Sequence, residues 1–212
     1  MKRYIPQGVI EIWRDFHQKR FEIANAIPTV SDVLTVGEFT YGMEHLEILF
    51  RDSGAKVEIG KFCSIARGVK ILLGGHHRHD WSTTYPFGEV FQETFGEYVP
   101  ANQQKSKGSV IIGNDVWIGL GTTIMPGIIV GDGAVIAANT HVTSNVQAYS
   151  IVGGNPSRLI KFRFDEEIIN ELLELRWWDL PIEHVKEVQK ILTQEPTFET
   201  LKRLQEIRDA VD

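Results

Sequence analysis

Residues 112–147 read as six consecutive hexads: Ile112-Gly113-Asn114-Asp115-Val116-Trp117, Ile118-Gly119-Leu120-Gly121-Thr122-Thr123, Ile124-Met125-Pro126-Gly127-Ile128-Ile129, Val130-Gly131-Asp132-Gly133-Ala134-Val135, Ile136-Ala137-Ala138-Asn139-Thr140-His141 and Val142-Thr143-Ser144-Asn145-Val146-Gln147. An aliphatic residue opens every hexad, and a period of six is neither that of a helix nor the alternation of a strand. The same frame runs earlier through Ile59-Gly60, Ile65-Ala66 and Ile71-Leu72, and weakly through Val36-Gly37. The pattern predicts a coil of very short strands joined by tight turns, each opening aliphatic pointing inward and stacking on its counterpart in the next coil. Small residues at the fifth position, Cys63, Thr122, Ala134 and Thr140, suit a crowded interior, and Gly or Asn suits turns with unusual dihedrals.

The chain has 212 residues, 42% of them hydrophobic, without a long apolar run, which predicts one soluble domain with appended helices and no membrane span. Residues 1–26 are rich in charge and lack the apolar core of a signal peptide, so a cytoplasmic location is expected. The single cysteine excludes an intrachain disulfide and fits that compartment. A net charge of −6 argues against a nucleic-acid partner; a polyanionic cofactor would need a local basic cluster.

Three segments are expected along the chain. Val9, Ile12, Trp13, Phe16, Phe21 and Ile23 recur at near-helical spacing, predicting an N-terminal helical cap over residues 1–30 that covers the open end of the coil. The coil itself spans 31–160 and is interrupted by an excursion at 76–109 that has no hexad frame and is too aromatic for a disordered linker, with Trp81, Tyr85, Phe87, Phe91, Phe95 and Tyr98. Residues 161–212 read as helices, one capped by Asp165, one starting at Pro181 and one after Pro196, with Leu201, Leu204 and Ile207 on one face of the last.

The chemistry-bearing residues gather at Gly74-Gly75-His76-His77-Arg78-His79-Asp80-Trp81, where the chain enters the excursion. Imidazole can take a proton from an alcohol and return it to a leaving thiolate, the two proton movements of acyl transfer. From the residues alone, His76, His77 and His79 are equal candidates. Three histidines within four residues do not converge easily on one tetrahedral ion, so no metal is expected. Cys63 would be a nucleophile for an acyl-enzyme, but its fifth-position address points inward and marks it as packing. Arg158, Lys161 and Arg163 form a basic cluster after Gly153-Gly154-Asn155-Pro156, suited to phosphates.

These segments, with Val36-Gly37-Glu38-Phe39-Thr40-Tyr41, Ile59-Gly60-Lys61-Phe62-Cys63-Ser64-Ile65, Thr84-Tyr85-Pro86-Phe87 and Gly113 to Gly119, resemble the hexapeptide-repeat acyltransferases of the left-handed parallel β-helix type. The likeness is to the xenobiotic acetyltransferase branch, which holds chloramphenicol and streptogramin acetyltransferases and related polysaccharide O-acetyltransferases. It implies a mainly β fold, a left-handed parallel β-helix, with an N-terminal helix, the excursion loop and C-terminal α-helices. It further implies acetyl-CoA as co-substrate and a homotrimer with active sites between subunits. His77 aligns with the family's general base. Arg158 and Lys161 align with contacts to the nucleotide end of acetyl-CoA, the backbone near Gly119, Leu120, Ala138 and Thr143 with the pantetheine arm, and Trp117 with the channel wall. Ser144 stands where relatives often carry Lys, which removes one phosphate partner.

Tyr41, His79, Asp80 and Tyr85 are the candidate acceptor contacts, and either Asp80 or a neighbouring carbonyl can orient the imidazole of His77. Streptogramin acetyltransferases tend to carry a Tyr-Tyr pair where this chain has Tyr41-Gly42, and losing that aromatic wall favours a small polar acceptor, a sugar or polysaccharide hydroxyl. An antibiotic O-acetyltransferase ranks second, an amino-sugar N-acetyltransferase third, and a noncatalytic trimeric hexapeptide protein last.

Overall fold

A computed structural model describes residues 32–98 and 106–211; the expected helical cap at 1–30 lies outside the described residues. The hexads lie on three parallel sheets, one for each side of a coil. One sheet runs β1 (Leu34–Val36), β3 (Val57–Ile59), β6 (Val110–Ile112), β9 (Ile129–Val130). A second runs β4 (Ser64–Ile65), β7 (Trp117–Ile118), β10 (Val135–Ile136), β12 (Ser150–Gly153), and ends on β13 (Arg158–Phe162). The third runs β2 (Glu47–Leu49), β5 (Lys70–Leu72), β8 (Thr123–Ile124), β11 (His141–Val142).

Register explains the period. Ile112 pairs with Val130, Ile118 with Ile136 and Ile124 with Val142, each residue meeting the one three hexads further on. One turn of the coil is therefore three hexads, and each opening aliphatic builds one of three interior columns. Ile65, Ile71, Ile112, Ile118, Ile124, Val130, Ile136 and Val142 are all buried, as are the fifth-position Cys63, Thr122, Ala134 and Thr140. Burial of a Val, Leu or Ile side chain contributes about 1.5–3 kcal/mol, so the columns carry the stability of the coil. Thr122 and Thr140 stay satisfied inside because their hydroxyls donate to backbone carbonyls of Gly119 and Ala137.

Two features explain the glycines and asparagines. A Cβ on Gly119 would come within 2.6 Å of the Ala138 nitrogen in the next coil, so close stacking requires glycine there. Asn139 (φ 56°) and Gly121 (φ +67°) occupy left-handed turns, as expected. Phe39 and Phe62 also take left-handed turns; their rings stack at 4.9 Å, and Phe62 leans on Trp177 at 4.7 Å.

After Pro156 the chain first forms β13, antiparallel to β12, before any helix begins. The purely helical reading of residues 161 onward thus needs correction: Lys161 and Phe162 finish a strand, Arg158–Phe162, whose five residues are all exposed and show no alternation that would mark it in the sequence. Helices then follow: α1 within the excursion is a single turn (Gln92–Phe95), and α2 (Glu166–Leu175), α3 (Ile182–Leu192) and α4 (Phe198–Asp209) close the chain. Asp165 sits at the N-cap of α2 without a side-chain capping bond, whereas Thr197 caps α4 through a reciprocal bond pair with Thr200. Tyr149, Leu172, Leu175, Leu180, Val188, Leu201 and Leu204 form a second core beneath the last coil.

Candidate active site

The histidine segment leaves β5 through Gly74 and Gly75. Gly75 has φ +80° and lies against the Phe50 ring, where no side chain fits, which sets the direction in which the chain departs. His77 is exposed, and its Nδ1 lies 2.7 Å from the carbonyl oxygen of Thr84, seven residues on. A carbonyl can only accept, so Nδ1 carries a proton, and in the neutral imidazole the lone pair is on Nε2. Of the two expected orienting groups, the carbonyl holds the imidazole. Asp80 is engaged elsewhere, in a two-bond pair with Arg78 that draws its carboxyl down to about 2.

A cavity of about 420 Å³ is lined by His76, His77, Arg78, His79, Asp80 and Lys107. Burial, and then the charges of Lys107 and His79, push the His76 imidazole below its ordinary acidity range. Lys107 also lines a neighbouring groove of about 470 Å³ with Met125, Pro126, Gly127, Ile128, Thr143, Ser144 and Asn145. Nothing in the sequence pattern marked Lys107, which sits in the frameless return of the excursion. The Thr84 carbonyl, a main-chain atom, carries no sequence signal at all. Tyr85 belongs to an exposed ring cluster directly after Thr84, with centroids 4.8 Å from Phe87 and 6.3 Å from Phe95, and Phe87 lies 5.0 Å from Phe95.

The other candidates lie on a different side of the coil. Trp117, 58% exposed, shares the outer face of its sheet with Ser64, Val135 and Ile151, and Ile151 faces Lys161. Three strand spacings separate Trp117 from Lys161, roughly 14 Å. Tyr41 bridges to Ser64 at the other end of the same ladder. Leu120 and Ala138 are exposed at one corner of successive coils, and Arg158 begins β13 with its guanidinium on the Ser157 carbonyl. None of Trp117, Leu120, Ala138, Arg158 or Lys161 lines the cavity of His77 or the groove of Thr143.

Arg163 leaves the expected basic cluster. Its guanidinium donates to the Gly133 carbonyl at 2.7 Å, pairs with Asp115 at 3.3 Å and lies over the rings of Tyr149 and Phe164. It ties the last coil to the terminal helices, next to a cavity of about 150 Å³ also lined by Leu172, Trp177 and Leu204. Burial raises the Asp115 carboxyl, which Arg163 partly offsets. Cys63 is buried, its thiol pushed up to about 11 by desolvation, and Sγ donates to the Gly113 carbonyl at 3.1 Å, so it is neutral and unreactive at ordinary pH. Among the described residues no group of three or more His, Cys, Asp or Glu is arranged to hold a metal ion, and no helix is long and apolar enough to cross a membrane.

Residues 109–144 match the family described as the hexapeptide repeat of succinyl-transferase. The chain is 46% identical over 171 residues to a "probable macrolide acetyltransferase" of Lysinibacillus sphaericus, covering 80% of this chain and 94% of that one. The chain belongs to the hexapeptide-repeat acetyltransferases. It is also 42% identical to a chloramphenicol acetyltransferase of Agrobacterium fabrum, over 76% of this chain and 82% of that protein. With a virginiamycin A acetyltransferase of Staphylococcus aureus the identity is 41%, over 86% and 87% of the two chains. As a hexapeptide-repeat acetyltransferase the protein is an acyl-transferring enzyme, and its coil supplies two separated sets of side chains, the histidine cavity on one side and the Trp117–Lys161 face on another.

Proposed function

We propose that the protein transfers an acetyl group from acetyl-CoA to a hydroxyl of a small acceptor, with His77 as general base. The observation that carries this is the 2.7 Å bond from His77 Nδ1–H to the Thr84 carbonyl, which leaves Nε2 free to take the hydroxyl proton. The acceptor oxygen then bonds to the thioester carbon, the carbonyl pair moves onto oxygen, and collapse breaks the C–S bond. His77 returns its proton to the departing thiolate.

The donor lies along Trp117, Leu120, Ala138 and Thr143, with Arg158 and Lys161 toward its phosphates, and Gly119 allows the close coil stacking behind it. Since the histidine cavity and the Trp117 face lie apart on one chain, a neighbouring copy completes the site, which supports a homotrimer of left-handed coils. In this reading residues 31–160 carry the catalytic unit and 161–212 close it, and use of acetyl-CoA fits a cytoplasmic enzyme.

The acceptor we infer is an antibiotic hydroxyl. The Tyr85–Phe87–Phe95 cluster adjoins the carbonyl that holds the base, and it offers an apolar wall for an amphipathic molecule; the antibiotic names of the relatives agree. A sugar hydroxyl is the second reading, favoured by Tyr41-Gly42 and by the wholly titratable lining of the His77 cavity. Thiol release from acetyl-CoA, followed with chloramphenicol, a streptogramin and a panel of sugars, separates the two. His77→Ala is expected to lose about 10²- to 10⁴-fold in turnover without loss of folded protein. Near-normal turnover by that variant overturns the assignment.

A further inference from the structure

We infer that the ammonium of Lys107 is a second catalytic group, one that stabilises the negative charge developing on the thioester oxygen during acetyl transfer. The inference rests on the reading of His77 as base, and it starts from the cations of the histidine cavity. Arg78 is committed: its guanidinium is held by both oxygens of Asp80 and lies 4.9 Å over the Trp81 ring. Lys107, by contrast, has no carboxylate partner among the described residues, and its charge is felt within the cavity at His76.

Its backbone is nevertheless fixed. The Ser106 hydroxyl donates to the Leu73 carbonyl at 2.6 Å and accepts from the Gly108 N–H at 3.0 Å, which pins the return of the excursion to the last coil before it. Gly127 N–H donates to the Gly108 carbonyl at 3.0 Å, and Gly127 lies so close to the Lys107 carbonyl that a Cβ there would collide with it. A long flexible side chain thus projects from an anchored stretch of backbone.

Position decides the role. Lys107 lines both the cavity of His77 and the groove of Thr143 and Ser144, so it stands where the acceptor side and one donor-side contact adjoin. The tetrahedral intermediate has the same requirement: its carbon is bonded at once to the acceptor oxygen and to the sulfur of CoA. The phosphates of CoA lie a full pantetheine arm away from that carbon, so a cation beside the base reaches the acyl end of the donor, and the measured acetyl-CoA affinity separates this role from a phosphate contact at the Ser144 end of the groove. No bond of Lys107 is made or broken; it lowers the energy of the oxyanion through charge and a donated hydrogen bond.

The test compares Lys107→Met, which keeps length and removes charge, with Lys107→Arg, which keeps charge. Thiol release from acetyl-CoA is followed with water as acceptor and with the best acceptor of the screen above, and acetyl-CoA affinity is measured separately by calorimetry. Lys107→Met is expected to lose about 10²-fold in kcat, with acetyl-CoA affinity unchanged, and Lys107→Arg to recover most of the loss. Unchanged kcat in Lys107→Met overturns the inference, as does a defect confined to acetyl-CoA affinity, which would make Lys107 a phosphate contact, or an equal defect in both variants. If His77→Ala is inactive while Lys107→Met is normal, the inference falls and the base assignment stands; if His77→Ala is normal, both fall.

Discussion

The coils and the excursion solve opposite problems with the same chain. In the coils every side of each turn repeats its neighbour, so Ile118, Ile124 and their partners are fixed by contacts that recur along the axis. The excursion has no neighbour to copy. His77, Thr84, Tyr85 and Phe87 are exposed and held by contacts that do not recur along the axis, a hydrogen bond and a ring cluster, while the hydroxyl of Ser106 fixes the return of the loop. Repetition yields rigidity cheaply, and the freedom to place a base and an acceptor wall is found only where repetition stops.

Substitutions should therefore separate the two regions. The largest effect is expected for Gly119→Val, whose side chain would strike the backbone of Ala137 and Ala138 in the next coil. This variant should yield little folded protein, judged by thermal unfolding and size-exclusion behaviour; a wild-type melting curve would mean that the coils are not stacked as described. Phe87→Ala, in the excursion, should behave inversely. Loss of its contacts with Tyr85 and Phe95 is expected to raise the acceptor KM about tenfold, within the range of aromatic contacts, at an unchanged melting temperature. A fall in melting temperature with unaltered KM would make the ring cluster structural. The smallest effect is on Cys63. With its thiol at about 11 and no exposure, it should resist a thiol-specific reagent near neutral pH until the coil is unfolded. Its folded pKa is raised above 9.0, so the protonated thiol contributes stability that is present below that pH and is lost as pH rises through about 11. Rapid labelling of the native protein would contradict the burial.

What could be read in advance follows the same division. Period alone identified the inward residues, because Ile112, Ile118 and Ile124 must face the interior if every coil is to cover the next. Thr122 and Thr140 were legible as interior residues for the same reason. The hold on His77 was legible only as a choice between Asp80 and a neighbouring carbonyl: its partner is a main-chain oxygen, and a carbonyl is present at every position. Lys107 escaped because a single lysine in a frameless loop has no pattern to belong to. Arg163 misled for a different reason. Its neighbours Arg158 and Lys161 suggest a phosphate site, but folding turns its side chain back onto Gly133 and Asp115, a contact across 30 and 48 residues that spacing does not reveal.

The antiparallel strand β13 has one more consequence. A parallel coil ends in a row of unpaired backbone groups on which another molecule can continue the stack, and the reversed direction of β13 over β12 breaks that continuation on its side. Among the described residues β13 lies at the edge of its sheet, and Arg158 and Lys161 are exposed there among the apolar Leu159, Ile160 and Phe162. The same two cations proposed to hold the donor's phosphates are thus charges of the kind that discourage edge-to-edge addition. Replacing both by alanine should make the protein more prone to precipitate as concentration rises, measurable by light scattering, independently of any change in acetyl-CoA affinity.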